Sequence, residues 1–268
     1  MRLVLRLCLV LLLAFVTINA DADELLKFGL FPYVSPARLI AHHKRFIEYL
    51  ESRTGKKIQL ITSPDFDTFR KRTQNKDFDI ILTAPHFGRL AELQSGYQRI
   101  AMTQHQVQGV YLVKPDSAIQ SLKDLKGKSI TIAAPTSIVY RLAVRQLHDD
   151  YGLVNGKNIT IITTRTHNNA MYSVIKGESD ASVTGVNLYT ALLKREGPVV
   201  RKIGETPKVP GFMLMANPSL HKDLVAKLHR AALAFSTTEE GKNYIFTGYK
   251  DIDDATMISL DAYITDFR

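Results

Sequence analysis

Two rhythms of apolar residues take turns along this chain. Short, mostly apolar runs at 26–31, 57–62, 78–83, 99–103, 108–113, 129–134, 158–164, 180–184 and 211–216 predict strands. The run at 78–83 is almost continuously apolar, as expected of a strand covered on both faces. Between them lie segments with helical spacing. After Ser35-Pro36, a cap and a first-turn proline, Leu39, Ile40, Phe46, Ile47 and Leu50 fall on one face and Gly55 closes the helix. Further helices are predicted at 65–75, 85–95, 136–151, 168–176, 187–195 and 218–235, with a short helix and turn at 121–127. Segment 198–203 is extended, Ser236-Thr237-Thr238-Glu239 fits a capping box for a helix running to about 247, and a last helix covers 254–266.

Strands alternating with helices imply mainly parallel sheets with helices on both faces and right-handed crossovers. The segments near 104–113 and 203–210 are polar or rich in Pro and Gly, so the chain divides there. Lobe one is 24–110 plus 210–268, and lobe two is the insertion 111–209. A cleft between two such lobes is a preferred ligand site, and hinge closure is its natural motion.

The first 22 residues follow a different pattern. Arg2 and Arg6 precede and border an uncharged apolar run of ten residues, 7–16, and Ala20-Asp21-Ala22 places small residues for cleavage after Ala22. This is the pattern of an export signal. The alternative, a membrane anchor, needs an apolar run of ~20 residues. Cleavage removes Cys8, the single cysteine among 268 residues, and lowers the net charge from +9 to +8. A thiol-free chain suits an oxidising compartment, and a soluble periplasmic product is expected. One cysteine also excludes an intramolecular disulfide, a CxxC motif and a multi-cysteine metal site. The basic runs Lys56-Lys57, Arg70-Lys71-Arg72 and Lys126-Gly127-Lys128 are short and scattered, the pattern of solvated faces rather than a nucleic-acid stripe.

Several segments, in their order and spacing, resemble the periplasmic phosphate/phosphite/phosphonate-binding protein family. They are Phe28-Gly29-Leu30-Phe31-Pro32, then Glu51-Ser52-Arg53-Thr54-Gly55-Lys56, then Asp79-Ile80-Ile81-Leu82-Thr83-Ala84-Pro85-His86-Phe87. Ser121-Leu122-Lys123-Asp124-Leu125-Lys126-Gly127-Lys128 follows, and His167-Asn168-Asn169-Ala170 precedes Gly177-Glu178-Ser179-Asp180-Ala181. The resemblance covers essentially the whole chain after residue 22. It implies an α/β, two-lobed type II periplasmic-binding-protein fold and a solute receptor, not an enzyme. Its partner is an ABC permease or, alternatively, a membrane sensor protein. The family holds its oxyanion at the first helix of lobe two with a Ser/Thr cluster and a following histidine. The matching positions are Thr136, Ser137 and His167, with Tyr33 and His86 on lobe one. Two departures stand out. The Ser/Thr cluster is short and is followed by Ile138-Val139-Tyr140, and no acidic residue for an amine lies near Val186-Asn187.

The residues themselves support an anion site. Thr136 and Ser137 follow a strand and open a helix, where unpaired N–H groups and the macrodipole favour an anion; the alternative is that one of them only caps the helix. His167 lies in a polar loop after an apolar strand, free to donate to an anion and to titrate near ~6.5, or else a surface histidine. Arg165 is a second cation there, and a solvated strand end suits it better. Tyr33, Ser35 and His86 follow lobe-one strands, and Asn168 and Asn187 are polar helix-start candidates. Phe87 and Tyr111 read as packing residues. No GxSxG, HExxH or P-loop occurs, and His42-His43 point ~100° apart on a helix, so no catalytic motif, cofactor or metal is expected. The sum is a monomeric receptor for a small oxyanion, with a sensory subunit or an exported enzyme on the same fold as the other readings.

Overall fold

The computed structural model describes residues 25–267. The segment read as an export signal lies outside the described residues. Among those described, no helix is long and apolar enough to cross a membrane.

The chain runs β1 (Leu26–Leu30), α1 (Pro36–Thr54), β2 (Ile58–Thr62), α2 (Phe66–Gln74), β3 (Ile80–Thr83), α3 (Pro85–Ser95) and β4 (Gln98–Thr103). It continues with β5 (Gly109–Val113), β6 (Ser129–Ala133), α4 (Ile138–Tyr151), β7 (Thr160–Thr164), α5 (His167–Lys176), β8 (Ala181–Gly185), α6 (Val186–Glu196) and β9 (Arg201–Glu205). It ends with β10 (Met213–Ala216), α7 (Lys222–Phe235), α8 (Glu239–Lys242), β11 (Tyr249–Lys250) and α9 (Asp254–Ile258), then 3-10 turns at Asp261–Tyr263 and Thr265–Phe267.

The strands form a six-stranded sheet, β11-β4-β10-β3-β1-β2, and a five-stranded sheet, β7-β6-β8-β5-β9. Parallel pairing is confined to β2-β1-β3 and β7-β6-β8. The remaining pairs are antiparallel, so both sheets are mixed. The core of the first sheet is dense. Leu26, Phe28, Leu30, Ile80, Ile81, Leu82, Met213, Leu214 and Met215 are wholly buried. Gly29 is needed there, because a Cβ would stand 2.7 Å from the Phe78 ring.

Helix boundaries carry their own chemistry. In α1 the buried positions are Leu39, His43, Phe46, Ile47 and Leu50. Ile40, expected inward, is exposed, because His43 completes the i, i+4, i+7, i+8 stripe instead. The helix expected to 247 stops at Lys242. Thr238, not Ser236, caps it by accepting the Gly241 N–H. The Ser236 hydroxyl accepts the Tyr249 N–H and so pins β11, a strand the pattern did not predict. The last predicted helix breaks after Ile258 into the two 3-10 turns.

The loops leaving β1, β2 and β3 and those leaving β6, β7 and β8 all open helices. Two segments join the sheets, between β4 and β5 and between β9 and β10. Val107 and Val209 bridge them, each N–H donating to the other's carbonyl at 3.0 Å. The strand-end loops of both sheets meet around this crossing.

Candidate functional site

A cavity of about 310 Å³ lies between the two lobes. Phe31, Tyr33, Arg38, His42, Phe66, Phe212 and Phe246 line it from the first lobe. Ser137, Val139, His167, Asn187, Leu188 and Arg195 line it from the second, and His105 and Gln108 lie at the crossing.

Four of the expected residues meet here: Tyr33, Ser137, His167 and Asn187. Ser137 is the N-cap of α4, and its hydroxyl accepts the Tyr140 N–H at 3.2 Å. It therefore caps and lines the cavity at once. Thr136 precedes it, and its Oγ1 is buried with no partner. His167 is the first residue of α5 rather than a loop residue, with Thr166 as the cap. Its ring meets Phe66 of the other lobe edge-on, 6.3 Å between centroids, and its Nδ1 is buried without a partner. Burial pushes its pKa down to about 4, so it is neutral at pH 7 and does not titrate near 6.5.

His86 does not line the cavity. It is fully buried, and its Nε2–H donates to the Thr136 carbonyl at 2.9 Å. A carbonyl only accepts, so the proton sits on Nε2 and the unpartnered Nδ1 carries a lone pair. Burial pushes the His86 pKa down to about 3. His86 thus ties lobe one to the loop that carries Thr136 and Ser137. Ser35 is the exposed N-cap of α1 and Asn168 the half-buried second residue of α5; neither lines the cavity. Phe87 packs on His86, 4.2 Å between centroids, and the Tyr111 hydroxyl bonds Gln146 inside lobe two.

The Tyr33 hydroxyl is committed behind the wall. It bonds His43 Nε2 at 3.1 Å and His42 Nδ1 at 3.3 Å, while His43 Nδ1 meets the Tyr244 hydroxyl at 2.7 Å. Tyr244 passes the chain on to the Tyr249 hydroxyl at 3.1 Å. Burial, with His42 beside it, pushes His43 down to about 3. The same burial pushes the Tyr33 phenol up.

Other buried hydroxyls without a partner are Ser63 Oγ and Thr83 Oγ1, at the ends of β2 and β3, and Ser182 Oγ inside β8. Burying such a group unpaired costs about 1–3 kcal/mol. Ser63 and Thr83, with Thr136 and His167, place part of that cost at the strand ends that surround the cleft. The sequence reasoning found Tyr33 but missed Arg38, His42, His105, Arg195 and the other rings of the aromatic wall, Phe31, Phe212 and Phe246. Part of the opposite lining was available: Leu188, Ala191 and Arg195 follow i, i+3, i+7 spacing along one face of α6. Phe212 and Phe246 come from distant segments and gave no such signal. Among the described residues no group of three or more His, Cys, Asp or Glu is placed to hold a metal ion.

Two α/β lobes joined by paired crossings around a cavity define the two-lobed solute-binding class. The profile of the family described as "ABC transporter, phosphonate, periplasmic substrate-binding protein" matches residues 28–257. The chain belongs to that family of periplasmic substrate-binding proteins. Its fold is similar to PhnD1 from Prochlorococcus marinus in complex with methylphosphonate, with TM-score 0.81 and 17% identity over 91% of this chain and 98% of that one. It is also similar to a binding protein component of an ABC phosphonate transporter from Pseudomonas aeruginosa, with TM-score 0.78 and 17% identity over 89% and 86%. A Xanthomonas citri protein bound to ATP has TM-score 0.72 and 16% identity over 90% and 97%.

Proposed function

We propose that this protein is exported through residues 1–22, captures a small phosphonate-, phosphite- or phosphate-like oxyanion in the periplasm, and presents it as a monomer to an ABC importer. The observation that carries the reading is the helix-start pair on lobe two. Ser137 at the α4 start and His167 at the α5 start face one cavity, with the unpartnered Thr136 Oγ1 beside them. Helix N-termini attract anions, and neutral hydroxyl and imidazole donors add hydrogen bonds without a permanent counter-charge. The Prochlorococcus relative in complex with methylphosphonate supports the ligand class. In this reading 24–110 with 210–268, and 111–209, move as two bodies about the Val107–Val209 crossing.

Titration calorimetry against methylphosphonate, phosphite, phosphate and sulfate tests it. At least one is expected to bind, and Thr136→Val with Ser137→Ala and His167→Asn is expected to weaken it at least a hundredfold while the circular dichroism stays native. Silence with all four oxyanions, or undiminished affinity in the triple variant, removes the reading.

A further inference from the structure

The cavity is larger and less polar than an oxyanion requires. At the ~30 Å³ that one water fills in the liquid, five heavy atoms occupy roughly 150 Å³. About half of the 310 Å³ is then left over. Most of the remaining wall is apolar on both sides. On lobe one, Phe31, Tyr33, Phe212 and Phe246 form a continuous aromatic surface. Phe31 and Phe212 lie 4.7 Å apart, Phe212 and Phe246 4.7 Å, and Tyr33 and Phe246 5.8 Å. The Tyr33 hydroxyl is already taken by His42 and His43, so its ring adds apolar area. Lobe two faces this wall with Val139, Val186 and Leu188.

The charged groups on the lining are all of one sign. Arg38 and Arg195 are present, the latter paired with Glu196 at 2.6 Å, and among the described residues no Asp or Glu lines the cavity. A ligand ammonium entering here loses its water, meets no carboxylate on the lining and faces the Arg38 guanidinium. The rings belong to one lobe and pack against each other, so they make a wall, not a cage that surrounds a cation.

Resting on the oxyanion reading above, we infer that the ligand is an oxyanion bearing an apolar alkyl or aryl substituent, seated between the aromatic wall and the Val139–Leu188 face, and that the cleft rejects aminoalkyl counterparts.

Propylphosphonate and 2-aminoethylphosphonate are near-equal in size and differ in the ammonium, which makes them the deciding pair. Calorimetry is expected to give propylphosphonate about tenfold tighter than methylphosphonate, from two further buried methylenes. Phenylphosphonate is expected at least as tight as propyl, and 2-aminoethylphosphonate at least tenfold weaker than propyl. Phe212→Ala is expected to erase the propyl-over-methyl preference. Leu188→Ala, on the opposite lobe, repeats the test if the first variant does not fold. Equal affinity for methyl and propyl, or tighter binding of the aminoethyl ligand, overturns the inference and leaves the oxyanion reading standing. Binding of phosphite, phosphate or sulfate with none of these four phosphonates overturns the inference alone; no binding of any of the seven overturns that reading itself.

Discussion

His167 shows how much of a histidine's chemistry is decided by what covers it. The sequence places it after a strand, and the structure puts it at a helix start on the cavity wall. Its neutrality was not legible, because the desolvation comes in part from Phe66, about a hundred residues away in the other lobe. An oxyanion beside the ring favours the imidazolium, so binding raises a pKa that stands at about 4 in the free protein. At pH 6 the complex is then expected to take up a proton at this site. Calorimetric enthalpies in buffers of different ionisation heat measure the uptake, and His167→Asn is expected to lose it. Relative to that variant, wild-type affinity rises as pH falls from the complex's pKa towards 4. A second prediction concerns stability. His43 and His86 are held neutral with folded pKa values of about 3, against ~6.5 unfolded. Between those values the unfolded chain binds more protons, so stability falls as pH falls, at about 1.4 kcal/mol per pH unit for each group, and the slope vanishes below about 3. Urea midpoints between pH 7 and 4 measure this. A flat profile contradicts the burial of both rings.

Ser137 belongs at the scale of its helix, since one hydroxyl both caps α4 and lines the cleft. Ser137→Ala removes a cap and is expected to cost about 1 kcal/mol of stability. Ser137→Asp keeps a capping acceptor and gains a favourable interaction with the α4 dipole, but places a negative charge where the oxyanion is proposed to sit. It is expected to melt near wild type and to lose oxyanion binding, which separates the two roles. Thermal melts and calorimetry on the pair decide it. At this scale most elements were legible, because apolar periodicity and caps such as Gly55 and Pro85 are local. Strand direction was not. The antiparallel course of β10 beside β3 depends on where the second crossing re-enters the sheet. The pairing of β11 with β4 brings Tyr249 to Thr103, and a two-residue strand has no period to read. The C-terminal helices were overextended for a related reason. Side-chain bonds from Ser236 and Thr238 redirect the backbone where composition alone looks helical.

At the scale of the whole molecule, the contacts across the cleft join residues remote in sequence. His86 donates to Thr136 across it. The C-terminal turns add a second tie. Arg89 pairs with Asp261 at 2.8 Å, and Gln94 donates to the Phe267 carbonyl at 2.8 Å, which fixes this segment to lobe one. From there it meets Arg141 of α4 in lobe two. Asp266 pairs with Arg141 at 3.1 Å, and the guanidinium stands 4.3 Å from the centre of the Phe267 ring, with Arg70 of lobe one 5.4 Å from the same ring. Arg141 is mostly buried, so the cation–ring contact is worth more here than at an exposed site. These ties favour the closed arrangement, and apparent affinity scales with the fraction of molecules able to close. Phe267→Ala alters no residue on the cavity. It is expected to raise the radius of gyration of the free protein in solution scattering and to weaken oxyanion binding several-fold, with saturating ligand restoring the compact form. Asp266→Asn, which keeps Arg141 and breaks only the ion pair, is expected to do the same more weakly. Unchanged scattering and affinity in both variants assigns closure to the His86–Thr136 tie and the crossing strands alone.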